Sequence, residues 1–86
     1  HGCHIKANCL IGSGAVVRDG VMLEEECRVA AGSLVAPGTK APRGSLLMGA
    51  PATVRRSVTA EDLDLIHRSA RNYIRLRAEY KAPEGR

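Results

Sequence analysis

The chain has 86 residues, two of them aromatic, and a net charge of +4 at pH 7. At this length it forms one domain at most and buries only about 60 to 65% of the surface that its unfolded chain exposes. Eight of its 13 Lys and Arg residues lie between positions 55 and 86. So few aromatic rings give bases little to stack on, which argues against nucleic acid as a partner. No stretch approaches the roughly 20 apolar residues of a membrane span, so no membrane association is predicted.

A branched aliphatic residue recurs every six residues along the first half of the chain. It occupies seven of eight successive sites, which are Ile5, Ile11, Val17, Leu23, Val29, Val35 and Leu47, with Ala41 as the exception. A period of six fits no long helix, whereas three units of a short strand and a corner make one coil that stacks on the next. The repeat predicts a triangular prism of parallel strands, in which Ile5 stacks on Leu23 and Cys9 stacks on Cys27.

Two further positions of each hexad are restricted to particular residue types. The position three residues after the aliphatic one holds Gly or Asn in every hexad from Asn8 to Gly44, apart from Glu26. Gly and Asn suit a backbone with positive φ, so this position is predicted to turn the corner. The next position holds small side chains, which are predicted to face the interior.

All three cysteines occupy that small, inward position. Stacked coils lie about 4.8 Å apart, so a disulfide between Cys9 and Cys27 is within reach. Free buried thiols in a reducing compartment are the stronger expectation for Cys3, Cys9 and Cys27. A cytoplasmic location is predicted on that basis.

Prolines mark the end of the repeat. Pro37, Pro42 and Pro51 each remove a backbone donor, and the run over residues 48–52 suits neither a helix nor a regular strand. The chain is predicted to leave the prism there. Residues 1–54 are interpreted as a truncated hexapeptide-repeat β-helix, because their eight hexads make fewer than three coils. Since the first residue already lies within the repeat and is not Met, we infer that further coils precede it.

A helix is predicted to follow a linker over residues 55–59. Thr59 is a favourable N-cap, and two acidic residues follow it in the first helical turn. Apolar residues then recur at helical spacing, which predicts a helix over residues 60–80 and a frayed tail over 81–86. Leu65 lies off the apolar stripe, so it either contacts another subunit or is singly exposed.

Three segments together resemble a known family. They are the start His1-Gly2-Cys3, the run Leu47-Met48-Gly49-Ala50-Pro51-Ala52-Thr53-Val54-Arg55, and Ser69-Ala70-Arg71-Asn72-Tyr73 in the predicted helix. With the hexads between them, they are similar to the C-terminal half of gamma-class carbonic anhydrase-like proteins. The resemblance implies a mainly β fold, a left-handed parallel β-helix followed by a long C-terminal α-helix, and a homotrimer. The handedness rests on the resemblance, because ordinary parallel crossovers are right-handed.

The resemblance also implies a metal site. In that family three histidines from two adjacent subunits bind a catalytic divalent metal, and the context of the last one matches His1, the candidate ligand here. The implied cofactor is Zn²⁺, or another divalent ion such as Fe²⁺ or Co²⁺, and the implied reaction is attack of metal-bound hydroxide on carbon dioxide to give bicarbonate. The other two histidines would lie upstream, so this chain alone cannot complete the site.

A weaker, orienting role for Tyr73 follows from the same resemblance. The C-terminal helix of the family packs along the prism, where a tyrosine hydroxyl could orient bound water or bicarbonate. Core packing of the ring, with the hydroxyl at the rim, is the alternative.

Other polar residues are interpreted as structural. His4 lies at an outward position, and no second Cys/His pair accompanies it to make a four-ligand metal site. His67 falls on the polar side of the predicted helix. The acidic run 24–26 occupies a corner and could bind calcium or handle protons, but a solvated turn is expected. Arg28 also faces outward and is expected to tolerate replacement by Ala.

Two other functions are compatible with the hexads. One is a hexapeptide-repeat acyltransferase, or a thioesterase, that uses coenzyme A substrates. The other is a non-catalytic trimeric scaffold, since a shared fold does not confer function. Upstream histidines at the family spacing would indicate the anhydrase, whereas a long loop that carries a histidine would indicate the acyltransferase.

Overall fold

In the computed structural model, the described residues are 2–69 and 80–81. Seven two-residue strands follow the hexads: β1 (His4–Ile5), β2 (Leu10–Ile11), β3 (Val16–Val17), β4 (Met22–Leu23), β5 (Arg28–Val29), β6 (Leu34–Val35) and β7 (Lys40–Ala41). Two longer strands, a helix and a short strand come after them: β8 (Ser45–Gly49), β9 (Ala52–Ser57), α1 (Ala60–Arg68) and β10 (Tyr80–Lys81). Strands and corners thus alternate with the six-residue period of the sequence.

The strands stack into the three sheets of a prism. Their orders are β1-β4-β7, β10-β3-β6 and β2-β5-β8-β9, and successive coils pair in parallel. The predicted stacking is confirmed, since Ile5 pairs with Leu23 and the other hexad partners are likewise in register. The chain is therefore mainly β, a left-handed parallel β-helix followed by an α-helix, as predicted.

The aliphatic position of the hexad fills the interior of the prism. Five of its members have no exposed surface, namely Val17, Leu23, Val29, Val35 and Leu47. Burial of each such side chain stabilises the fold by roughly 1.5 to 3 kcal/mol. Because each residue lies above its counterpart in the neighbouring coil, the core is a stack of similar layers.

The corners use left-handed backbone where the sequence predicts it. Asn8 has a φ of 62° and Glu26 a φ of 63°, beside glycines of positive φ at the same hexad position. For Glu26 this conformation costs about 1 to 2 kcal/mol. Gly12 meets a different constraint, because a Cβ there would lie 2.5 Å from the backbone nitrogen of Ala31. The two coils approach too closely at Gly12 for any side chain.

The chain reverses direction at the end of the repeat. β8 and β9 form an antiparallel pair with Leu47 opposite Val54, on either side of a cis peptide between Ala50 and Pro51. A linker was expected from residue 55, but residues 55–57 belong to β9. They continue the sheet because the edge of β8 offers backbone hydrogen-bonding groups to the returning chain.

Helix α1 begins where the sequence predicts. Thr59 is the N-cap, and its side chain accepts a hydrogen bond from the backbone N–H of Asp62, whose carboxylate accepts one from Thr59 N. These two bonds complete a capping box. The helix is described as far as Arg68, with Ser69 as its C-cap, and residues 70–79 of the predicted helix lie outside the described residues. None of the helical structure in the described residues has the length and apolar character that a membrane span requires.

A short strand follows at residues 80–81. Tyr80, the last residue of the predicted helix, instead pairs antiparallel with Val17, and Lys81 pairs with Val16. Of the predicted tail, residues 81–86, Lys81 belongs to β10 and residues 82–86 lie outside the described residues.

Candidate functional site

The two predicted site residues, His1 and Tyr73, lie outside the described residues. The corner beside His1 is described: the carbonyl of Gly2 accepts a hydrogen bond from Gly20 N at 3.1 Å, and Cys3 is buried in the core. The coil stack therefore holds the backbone from Gly2 onward. The ligand role of His1 and the orienting role of Tyr73 stay predictions.

His4 lies exposed on β1, opposite Met22 in the next coil. This is the outward position that the hexad predicts. Within residues 2–69 and 80–81, no three His, Cys, Asp or Glu side chains are grouped so that they could hold a metal ion. A zinc site takes three or four protein ligands, so the described side chains do not fit the implied metal by themselves. A complete ligand set has to include groups outside them.

The best-organised polar site in the described residues surrounds Asp62, which is 2% exposed. Its Oδ1 accepts a hydrogen bond from Arg28 Nη1 at 2.5 Å, and its Oδ2 accepts one from Arg56 Nη1 at 2.8 Å. Oδ2 also accepts from Thr59 N at 2.8 Å and from Thr59 Oγ1 at 3.0 Å. We call these four residues, Asp62, Arg28, Arg56 and Thr59, the Asp62 cluster.

The Asp62 cluster stabilises an ionised carboxylate. The backbone N–H of Thr59, together with the two guanidinium groups, holds the pKa of Asp62 well below its usual range, although burial opposes this. Both carboxylate oxygens are engaged by donors, so neither is free to act as a base or a metal ligand. Because Arg28 lies on β5 and Arg56 on β9, the cluster joins α1 to two strands of one sheet.

This cluster was missed from the sequence. Asp62 was identified only as an acid in the first helical turn, and Arg28 as a tolerant outward residue. The structure gives a reason to revise the second expectation, because Arg28 binds a buried carboxylate. The Thr-x-x-Asp spacing of the capping box was a usable local signal. No local signal connects Arg28 to Asp62, which lies 34 residues further along the chain.

The acidic corner over residues 24–26 is an ion-paired surface. Lys6 Nζ lies 3.1 Å from Glu24 Oε1, and Arg43 Nε lies 3.2 Å from Glu26 Oε1. His67, whose side chain is 54% exposed, places Nε2 3.5 Å from Glu26 Oε2. Basic side chains from neighbouring coils and an imidazole from α1 therefore face these carboxylates, which fits a solvated turn better than a calcium site.

The three cysteines are free thiols, as expected. Cys3 and Cys27 are buried, and Cys9 is half-buried at the same inward position of its hexad. Cys9 Sγ donates to the carbonyl of Glu24 at 3.2 Å, and Cys27 Sγ donates to the carbonyl of Pro42 at 3.2 Å.

Known proteins share this repeat and this architecture. Residues 2–37 match the family described as bacterial transferase hexapeptide (six repeats). Gamma carbonic anhydrase 2, mitochondrial, from Arabidopsis thaliana is 43% identical over 76 residues, which make up 88% of this chain and 27% of that protein. Gamma carbonic anhydrase 1, mitochondrial, from the same plant is 40% identical over 82 residues, or 95% of this chain and 30% of that protein.

A solved structure agrees with these sequence matches. A hexapeptide transferase family protein from Anaplasma phagocytophilum superposes with a TM-score of 0.76 at 35% identity, covering 80% of this chain and 42% of that one. The chain spans less than a third of the length of the two curated relatives. In its hexads, its β-helix and these matches, the chain is similar to hexapeptide-repeat proteins, among them two that are named as gamma carbonic anhydrases.

Proposed function

We propose that this chain is the C-terminal part of a gamma-class carbonic anhydrase-like metalloenzyme that converts carbon dioxide to bicarbonate. The observation that carries the proposal is the 43% identity over 88% of the chain to a protein named as a gamma carbonic anhydrase. A match of that extent covers both the coils and the segment that follows them. It is therefore more specific than a match to the hexads alone.

In the proposed enzyme His1 supplies one imidazole ligand for Zn²⁺, or for Fe²⁺ or Co²⁺. The remaining ligands come from outside the described residues, and the site lies between subunits of a homotrimer in the cytoplasm. Tyr73 orients water or bicarbonate beside the metal. The support within this chain is the corner that follows His1, where the bond from Gly20 N to the carbonyl of Gly2 fixes the backbone.

A second candidate is a hexapeptide-repeat acyltransferase or thioesterase with coenzyme A substrates. The observation in its favour is the superposition on a hexapeptide transferase family protein. The same fold supports both chemistries, so the distinction depends on the site and not on the coils.

The test uses the protein that carries this chain together with its upstream coils. Zinc content after dialysis and the rate of carbon dioxide hydration are measured for the native protein and for the His1→Ala and His4→Ala variants. We expect His1→Ala to lose both zinc and hydration, because one of three imidazoles is gone. His4→Ala is the matched control and should keep both, since His4 is exposed on the outer face of β1.

Full zinc retention in His1→Ala, or zinc loss only in His4→Ala, would contradict the proposed ligand. Consumption of a coenzyme A thioester without carbon dioxide hydration would favour the second candidate.

Light scattering tests separately whether the metal site is shared between subunits. We expect a trimer when zinc is present, because a cyclic arrangement places ligands of two subunits at each interface, and a monomer at micromolar concentration would contradict the shared site.

A further inference from the structure

Cys9 and Cys27 are stacked on each other in successive coils. The parallel register pairs Leu10 with Arg28, and Leu10 N donates to the carbonyl of Cys27 at 2.9 Å. The preceding residue, Cys9, therefore lies one coil away from Cys27. Stacked strands are about 4.8 Å apart, and the Cα atoms of a disulfide lie about 4.4 to 6.8 Å apart. The backbone already has the separation that a disulfide requires.

Both thiols also point in the same direction. Each donates to a carbonyl fifteen residues further along the chain, Cys9 to Glu24 and Cys27 to Pro42, in both cases at 3.2 Å. The two carbonyls occupy equivalent positions in successive coils, so the two side chains run in the same direction and their sulfurs are neighbours in the stack. Cys9 is half-buried while Cys27 is fully buried. Solvent therefore reaches the pair from the Cys9 side.

Each thiol changes the acidity of the other. Cys9 can donate a hydrogen bond to the sulfur of Cys27 once Cys27 is ionised, which lowers the pKa of Cys27 below that of an ordinary thiol and raises the pKa of Cys9, and burial raises the pKa of Cys9 further. Such a pair loses its first proton more readily than an isolated buried thiol, and the proton that remains can lie on either sulfur. A thiolate is thus available within the pair, and the thiolate is the form of cysteine that oxidants attack.

We propose that Cys9 and Cys27 form a dithiol modification site, which hydrogen peroxide oxidises to an intramolecular disulfide between neighbouring coils. The thiolate of the pair attacks peroxide, so an S–O bond forms, the O–O bond breaks and the departing hydroxide takes up a proton. The sulfur of the other cysteine then attacks the sulfenic sulfur, so the S–S bond forms and the second oxygen leaves as water. Two thiols lose two electrons and two protons, and one peroxide becomes two waters.

Cys3 provides an internal control. It occupies the same hexad position and is buried to the same degree as Cys27. Its stacked neighbour is Val21, as the bond from His4 N to the carbonyl of Val21 and the pairing of His4 with Met22 show. Within residues 2–69, Cys3 therefore has no sulfur stacked opposite it.

The test treats the reduced 86-residue chain with dilute hydrogen peroxide, then alkylates it in denaturant and digests it with trypsin. The three cysteines fall in separate tryptic peptides, over residues 1–6, 7–18 and 19–28. We expect the number of alkylated thiols to fall from three to one. The peptides 7–18 and 19–28 should be cross-linked to each other, and dithiothreitol should restore all three thiols.

Variants sharpen the test. Cys27→Ser should abolish the cross-link, whereas Cys3→Ser should leave it unchanged. Serine is accommodated at this hexad position, because Ser45 is buried there and donates to the carbonyl of Pro42 at 2.7 Å. Three unreacted thiols, a cross-link that includes peptide 1–6, or cross-links only between chains would each overturn the proposal. The peptide map of the native chain decides the question even where a variant fails to fold.

Discussion

The prism and the helix that follows it are stabilised in different ways. In the prism, many similar layers of aliphatic side chains contribute to stability, and each layer contacts a similar layer in the next coil. Helix α1 depends on a single buried carboxylate held by Arg28 and Arg56, with Ile66 as its buried apolar contact residue. A repeat distributes stability along its stack, whereas an attached element concentrates it in a few long-range contacts.

The largest expected effect is a charge placed inside a layer. Val29→Asp puts a carboxylate among buried aliphatic side chains, where nothing pairs with it, and should lower the free energy of unfolding by at least about 4 kcal/mol. Lys40→Asp is the matched control, since it places the same residue at an exposed, outward position. It should change the free energy of unfolding by less than about 0.5 kcal/mol. Urea denaturation measures both. Equal losses would mean that the inward and outward positions are misassigned.

The next largest effect is expected in the helix and not in the prism. Asp62→Asn keeps the shape of the side chain but removes the charge that neutralises two arginines, and should cost about 2 to 3 kcal/mol. The loss should appear as faster hydrogen exchange in α1, while the amides of the prism stay protected. Asp64→Asn tests the neighbouring carboxylate, which pairs with Arg68 on the surface at 2.7 Å, and should cost less than about 0.5 kcal/mol. Loss of protection throughout the chain would show that the two regions unfold as one unit.

Acidic pH should destabilise α1, as Asp62→Asn does, and by no more than that substitution. The folded-state pKa of Asp62 lies below its unfolded value, so its contribution is fully present above the unfolded value, about 3.9. That contribution is lost as the pH falls toward the folded-state value. The urea midpoint for α1 should therefore decrease below about pH 4. In Asp62→Asn this decrease should be smaller, and an unchanged decrease would assign it to other carboxylates.

The smallest expected effect is a difference in stability between variants of two residues at the same outward hexad position. Arg28→Ala leaves Arg56 bound to Asp62, so it should cost less than loss of the carboxylate, about 1 to 2 kcal/mol. Lys40→Ala removes an exposed side chain and should cost less than about 0.5 kcal/mol. If thermal melting gives the same stability for both variants, the bond between Arg28 and Asp62 contributes nothing in solution.

The hexads predicted the prism well because the information is local and repeated. Every six residues specify an inward aliphatic side chain, a small neighbour and a corner, so the register follows once one coil is placed. Even Glu26, the exception to the Gly or Asn rule, adopts the positive φ of its hexad position. Stacking on neighbouring coils overrides its own backbone preference at that corner.

What the sequence did not predict depends on contacts between distant segments. The return strand β9, the pairing of β10 with β3 and the bond from Arg28 to Asp62 each join residues that no short pattern relates. The candidate metal ligand His1 came from a resemblance and not from periodicity. Its ligand role depends on groups outside the described residues, so local patterns could not have completed that site.

The antiparallel strand β9 also limits how far one sheet can grow. A stack of interchangeable coils is a template that a coil of another molecule could extend, as in fibres built by end-to-end addition. On the β2-β5-β8 face, however, the next strand runs in the opposite direction, so a further parallel coil meets the wrong hydrogen-bonding pattern. The exposed Arg55 adds a positive charge along that edge. Strand β9 thus opposes end-to-end polymerisation through this sheet.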